Sequence, residues 1–107
     1  MAYDQSVDDR VAEVALTWGA ERRRMFGGTC YLVNGNMAAG VIGDELILRL
    51  GEKGGTKAMT DPHVRPFDMT GKPMRGWMMV RPAGFAGDRL SDWLARAKQF
   101  AESLPPK

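Results

Sequence analysis

The first apolar pattern along the chain is a stripe near the N-terminus, in the segment "SVDDRVAEVALTWG". Its members recur at intervals of three and four residues: Val7, Val11, Val14 and Trp18. These intervals match the 3.6-residue period of a helix with one buried side. Ser6 is placed to act as the N-cap and Gly19 as the C-terminal stop. Asp8 and Asp9 suit the positive N-terminal end of such a helix. We therefore predict a first helix that packs its stripe on a sheet.

A longer stripe of the same kind lies near the C-terminus. Its apolar positions are Leu90, Trp93, Leu94, Ala97, Ala101 and Leu104. Asp88 is the predicted N-cap, and Pro105 and Pro106 end the pattern. The spacing predicts a C-terminal helix with one buried side.

Between these helices the pattern shortens to strands separated by turn residues. We predict that residues 24–26 begin a strand and that Gly27 and Gly28 bend it. The segments "TCYLV" and "MAAGVI" flank Asn34-Gly35, the strongest two-residue signal of a type I′ hairpin turn. Gly43-Asp44 is a second candidate tight turn. In "ELILRL", leucines alternate with the other residues, which predicts a strand with one buried face.

The remaining middle of the chain is rich in glycine and proline. "GEKGGTKAMT" predicts a short helix, and residues 64–67 a short strand within "DPHVRPFDMTGKPMRG". "WMMV" predicts a further strand that Pro82 closes. Helices segregated from a meander of strands indicate an α+β two-layer domain. We expect an antiparallel sheet of five to six strands, with the N-terminal, C-terminal and short central helices packed against it, in one domain spanning residues 1–107.

Composition adds little to this picture. The 107 residues carry a formal charge of +2 with 44% hydrophobic residues, which is ordinary for a globular protein and too weak a charge to predict nucleic-acid binding. Cys30 is the sole cysteine, so no internal disulfide can form. The N-terminus lacks the pattern of a secretory signal, and no apolar run approaches the roughly 20 residues that span a bilayer. We expect a cytoplasmic protein without membrane contact.

The candidate catalytic and phosphate-binding motifs are incomplete. The glycines of residues 27–43 lack the dinucleotide spacing and a following helix. In "LRLGEKGGTKAM" the residues between Gly51 and Gly55 are too few for a P-loop, and Thr56 precedes Lys57 instead of following it. His63, the sole histidine, and Cys30 have no spacing that joins them. We expect no enzymatic activity, no cofactor and no metal site.

Two basic clusters are the remaining candidates for binding chemistry. One consists of Arg22, Arg23 and Arg24, and the other of Lys72 and Arg75. Both carry charges that can contact phosphates, but neither has interleaved aromatic residues for base stacking. Direct nucleic-acid binding through these five residues is therefore an alternative hypothesis, which we do not favour.

Three motifs in order give the sequence a family resemblance: "RRRMFGG", "VNGNMAAGV" and "FDMTGKPMRGW". Together they resemble the N-terminal domain of the TfoX/Sxy family of bacterial competence regulators, and the likeness runs essentially from end to end. The motif positions are held by Met25, Phe26, Gly27, Gly28, Asn34, Gly35, Gly71, Lys72, Pro73, Met74, Gly76 and Trp77.

The resemblance implies a two-layer domain that self-associates and has a regulatory, non-catalytic role. In the competence regulators a second, helical domain follows, and they are thought to work with the cyclic-AMP receptor protein at promoters. We expect a single-domain member that forms a homodimer and acts on transcription through a protein partner. The segment "TGKPMRGW" is the expected partner-binding surface, through its residues Lys72, Pro73, Met74, Arg75 and Trp77.

Overall fold

The computed structural model describes residues 5–25, 28–67 and 76–106. The helices are α1 (Gln5–Ala15), α2 (Gly51–Ala58) and α3 (Arg89–Glu102), and 3-10 turns occupy Leu16–Trp18 and Pro82–Phe85. The strands are β1 (Glu21–Met25), β2 (Gly28–Val33), β3 (Asn36–Ile42), β4 (Glu45–Arg49), β5 (Val64–Pro66) and β6 (Trp77–Val80).

The six strands form one antiparallel sheet in the order β1-β2-β3-β4-β6-β5. The first four follow one another as a meander, and β6 pairs with β4 before β5 joins at the edge. The predicted α+β two-layer class is confirmed, with helices on one layer and the antiparallel sheet as the other.

The tight turns between strands form at residues that readily adopt positive φ. Asn34 and Gly35 both have positive φ, 53° and 82°, as a type I′ turn requires. Gly43, with φ 60°, begins the turn from β3 to β4. A register shift between Tyr31 and Leu32 marks a bulge in the β2–β3 pair. The hairpin prediction at Asn34-Gly35 is therefore confirmed.

α1 buries the predicted stripe, but its start differs from the prediction. Val7 and Val11 are buried in the main core, while Val14 and Trp18 pack against it half-buried. The prediction of Ser6 as N-cap is wrong, because the helix already includes Gln5 and Ser6 lies inside it. The helical segment ends at Gly19, as predicted, because this glycine adopts left-handed φ after the 3-10 turn.

β4 lies at the centre of the sheet, and this changes its burial. Leu46 and Leu48 face the helices and are fully buried, as the alternation predicts. Ile47 points to the opposite face and is also buried, at 1% exposure. The prediction of a single buried face is therefore wrong, because Ile47 packs in a second cluster with Phe67 and Met79.

α3 covers the helix-bearing face with its predicted stripe. Its buried residues are Leu90, Trp93, Leu94, Ala97 and Ala101. Asp88 precedes the helix as predicted, but its side chain makes no capping hydrogen bond. The Trp93 indole N–H donates to the Gly84 carbonyl at 2.9 Å, which fixes the helix start to the second 3-10 turn. α2 packs on the same face, since a Cβ at Gly55 would lie 2.7 Å from Met78 Cε.

Candidate interaction surface

An aromatic and cationic cluster lies where the β5–β6 hairpin meets the end of β4. We call Arg49, Phe67, Trp77 and Phe100 the hairpin-end cluster. The Trp77 and Phe67 ring centroids are 6.2 Å apart, at 41°. The Arg49 guanidinium carbon lies 5.2 Å from the Trp77 ring centroid and 5.8 Å from that of Phe100. Both distances are within the range of cation–π attraction. Trp77 is half-buried, so one part of the indole stays accessible.

Glycine backbone contacts hold this cluster in place. Gly76 has φ 79°, and a Cβ there would lie 2.8 Å from the Gly51 carbonyl carbon. The Leu50 amide donates to the Gly76 carbonyl at 2.7 Å, and the Phe67 amide donates to the Trp77 carbonyl at 3.0 Å. The hairpin end is therefore locked to the start of α2 by backbone as well as by ring contacts.

The face of the sheet opposite the helices carries the second apolar cluster. Ile47, Phe67 and Met79 are buried in it, and Met37, Ile42 and Trp77 pack against them half-buried. An ion pair between Arg65 and Glu45, at 2.8 Å, crosses this same face from β5 to β4. Within the described residues, α1, α2 and α3 all pack on the other side.

A buried carboxylate was missed by sequence reasoning. Asp8 is 0% exposed, and its carboxylate accepts hydrogen bonds from the Thr29 hydroxyl at 2.6 Å and the Tyr31 hydroxyl at 2.5 Å. The Arg22 guanidinium forms an ion pair with the same carboxylate. We call these four residues the Asp8 network. Burial and the bond to Asp8 raise the pKa of Tyr31, so its phenol stays protonated and donates. The network ties α1 to β1 and β2.

The arginine run is divided between the two faces of β1. Arg22 is opposite Tyr31 and turns toward α1, whereas Arg23 is opposite Cys30 on the other face. The Arg23 guanidinium lies 2.6 Å from the Glu21 carboxylate. Arg24 shares the face of Arg22 by strand alternation. The run therefore does not form one continuous basic patch.

The second basic cluster lies outside the described residues. Lys72, Pro73, Met74 and Arg75 belong to that segment, so of the predicted partner-binding residues only Trp77 is placed. Phe26 and Gly27, at the predicted bend, also lie outside the described residues.

The two candidate catalytic side chains lie far apart. Cys30 is on β2 and His63 precedes β5, with β3, β4 and β6 between them, roughly 19 Å across the sheet at strand spacing. Burial raises the pKa of the Cys30 thiol. The His63 amide donates to the Asp61 carboxylate, which also pairs with Arg89. Among residues 5–25, 28–67 and 76–106, no three His, Cys, Asp or Glu side chains group as metal ligands.

Within the described residues, no helix has the length and apolar character needed to cross a bilayer.

The fold defines a small α+β domain with an antiparallel sheet, and the hairpin-end cluster presents a half-buried tryptophan in contact with an arginine and a phenylalanine. Residues 15–101 match the family described as TfoX N-terminal domain. This match covers most of the 107 residues, so the chain belongs to the TfoX N-terminal domain family. No curated protein and no solved structure matches the chain.

Proposed function

We propose that this protein is a non-enzymatic regulatory module that acts on transcription by binding a partner protein at its hairpin end. Membership of the TfoX N-terminal domain family supports a regulatory role. The observation that carries the proposal is the half-buried Trp77, which contacts Phe67 and Arg49 at the start of β6. Tryptophan and arginine are the residue types most enriched where protein interfaces concentrate their binding energy.

The packing of Trp77 makes it a suitable anchor. Because Phe67 and Arg49 already restrict the indole, a partner would lose little side-chain entropy in docking on it. Lys72, Pro73, Met74 and Arg75 precede Trp77 in the sequence, and we include them in the proposed partner-binding segment. The two basic residues would select an acidic partner surface by charge.

Self-association is the second part of the proposal, and the composition of the two sheet edges supports our choice of contact surface. The edge strand β1 is charged, and the other edge strand, β5, has three residues and includes Pro66. Both features discourage pairing of edges between copies. We therefore place the homodimer contact on the helix-free face, around the half-buried Met37 and Ile42.

Partner binding is tested by capture from a lysate with the full chain as tagged bait, with and without nuclease. We expect a stoichiometric protein that survives nuclease and is lost with Trp77→Ala or with the pair Lys72→Glu and Arg75→Glu. The control pair Arg81→Glu and Lys98→Glu carries the same charge change elsewhere and should retain the partner. Capture that vanishes with nuclease would favour nucleic-acid binding instead. If the test variants lose melting temperature along with partner capture, the segment stabilises the fold instead of binding a partner.

Dimerisation is tested by sedimentation velocity over a range of concentrations. The native chain should shift from monomer to dimer as concentration rises, and Ile42→Glu should remain monomeric. Leu16→Glu is the control, because Leu16 is an apolar residue 51% exposed after α1. A native chain that stays monomeric at high concentration would contradict the proposal.

A further inference from the structure

A groove runs between α2 and α3 on the helix-bearing side of the domain. Three adjoining cavities of about 200, 490 and 840 Å³ make it up. The first two share Lys57 and Arg96, and the second and third share Leu50, Gly54 and Phe100. Its α3 wall runs from Arg89 to Ser103, which at the helical rise is roughly 20 Å. The groove is therefore as long as about four turns of a bound helix.

The groove has an apolar floor and a narrow wall on the α2 side. Leu50 is 6% exposed and Phe100 half-buried at one end, and Ala58 and Trp93 line the other. Gly54 stands on the α2 wall, where a Cβ would come within 3.1 Å of Leu50 Cβ. With no side chain at that position, another backbone can approach α2 closely.

The charges along the groove are unequal. Lys53, Lys57 and Arg96 are exposed, and within the described residues no carboxylate forms an ion pair with them. Arg96 instead lies over the Trp93 ring, with its guanidinium carbon 4.9 Å from the centroid.

The acidic side chains of the groove are Glu52, Asp61 and Asp92. Asp61 is neutralised by Arg89, and Asp92 lies at the end of the groove beside this pair. Glu52 lines the third cavity and neither of the other two. The second, central cavity is lined by Lys57 and Arg96 and by no carboxylate among the described residues, so the centre of the groove is cationic above an apolar floor.

We infer that this groove binds an acidic amphipathic helix of a partner protein, with apolar side chains on Leu50 and Phe100 and carboxylates on Lys57 and Arg96. Apolar floor, cationic rim and length fit one helix face with acidic flanks, the common helix-in-groove mode of recognition. The inference deepens the proposed function, because it adds a second contact to the same interaction module. The groove adjoins the hairpin-end cluster, since Phe100 belongs to both.

The test uses two synthetic 16-residue peptides with the same leucine stripe, one flanked by glutamates and the other by lysines. Each is titrated into the isotopically labelled full chain, and backbone amide shifts are followed by NMR. The acidic peptide should give saturable shifts confined to the residues of the groove, 50–61 and 89–103, and the basic peptide should give none. The pair Lys57→Glu and Arg96→Glu should weaken binding of the acidic peptide at least about tenfold and should create binding of the basic peptide.

A charge-matched variant and a competing ligand separate the outcomes. Arg81→Glu with Lys98→Glu should bind the acidic peptide within about twofold of the native chain. Absence of shifts, shifts outside the groove, or equal binding of both peptides would overturn the inference. Shifts produced by dodecanoate but not by the acidic peptide would assign the groove to a small amphiphile and also overturn it. Lysate capture depends on Trp77, Lys72 and Arg75, so failure of one proposal is distinguishable from failure of the other.

Discussion

Replacing Asp8 by alanine should destabilise the fold far more than its position in the first turn of α1 would suggest from the sequence alone. The carboxylate is fully buried and accepts hydrogen bonds from Thr29 and Tyr31, whose residues are 3% and 0% exposed. Without it, the Thr29 hydroxyl loses its carboxylate acceptor, and the Tyr31 hydroxyl keeps, of its Asp8 acceptors, only the backbone carbonyl, at 3.5 Å. Each lost hydrogen bond away from water costs about 1–3 kcal/mol. Arg22 loses less, because its side chain is 37% exposed and can be solvated. We expect a total loss of about 3–5 kcal/mol, most of it from the two buried hydroxyls.

Urea unfolding followed by tryptophan fluorescence measures this loss. Because the whole domain is stable by only about 5–15 kcal/mol, Asp8→Ala should lower the urea midpoint strongly. Tyr31→Phe is a milder variant that should fold and lose about 1.5 kcal/mol. The matched control is Asp9→Ala, one residue along α1, whose carboxylate accepts an exposed hydrogen bond from Gln5 and which should change stability by less than about 0.5 kcal/mol. A loss below about 1 kcal/mol for Asp8→Ala, or one equal to that of Asp9→Ala, would show that the buried carboxylate does not stabilise the fold.

Three further predictions concern titration, reactivity and backbone geometry. The pKa of Tyr31 is raised in the fold, so the protonated phenol contributes its full stabilisation below the ordinary pKa of 10.0, and this contribution is lost as pH rises above that value. Urea unfolding at a series of alkaline pH values should show this decline in stability, and Tyr31→Phe should remove it. Cys30 is 1% exposed with a raised pKa, so a thiol reagent such as DTNB should label it only after unfolding, and rapid labelling of the native chain would contradict its position. Gly76→Ala should cost about 1–3 kcal/mol in thermal unfolding, because φ is positive there and the new Cβ meets the Gly51 backbone; an unchanged melting temperature would show that this crossing relaxes freely.

Much of the fold follows from local patterns in the sequence. The Asn34-Gly35 turn sets the β2–β3 hairpin, because both residues accept positive φ. The stripes of α1 and α3 follow from helical periodicity, and the alternation in β4 predicts burial of Leu46 and Leu48. Alternation could not predict burial of Ile47, since that depends on Phe67 and Met79 reaching it from strands distant in sequence.

The Asp8 network was harder to predict from the sequence than the helices and turns, although one signal was present. Asp8 stands four and seven residues before Ala12 and Ala15, on the buried side of α1. An aspartate in a first turn can equally be exposed and interact with the helix dipole. Only the tertiary positions of Thr29 and Tyr31 show that Asp8 is buried instead. The role of Arg22 was hidden for the same reason, because its partner lies on another element.

The hairpin-end cluster was predicted in part. Trp77 was singled out by its motif, whereas Arg49, Phe67 and Phe100 were not, since they come from β4, the end of β5 and α3. No local pattern relates these positions. Only the pairing of Arg49 with Trp77 across β4 and β6 brings the cation onto the ring.

The central claim is that a partner protein docks at the hairpin end, and photo-crosslinking from Trp77 tests it most directly. A photoreactive phenylalanine analogue placed at position 77 of the full chain, and in a second variant at the half-buried Trp18, is irradiated in cells. A partner docked at the hairpin end should give a discrete protein adduct from position 77, resistant to nuclease, and none from position 18. Adducts only from position 18, or adducts from position 77 that nuclease removes, would contradict it.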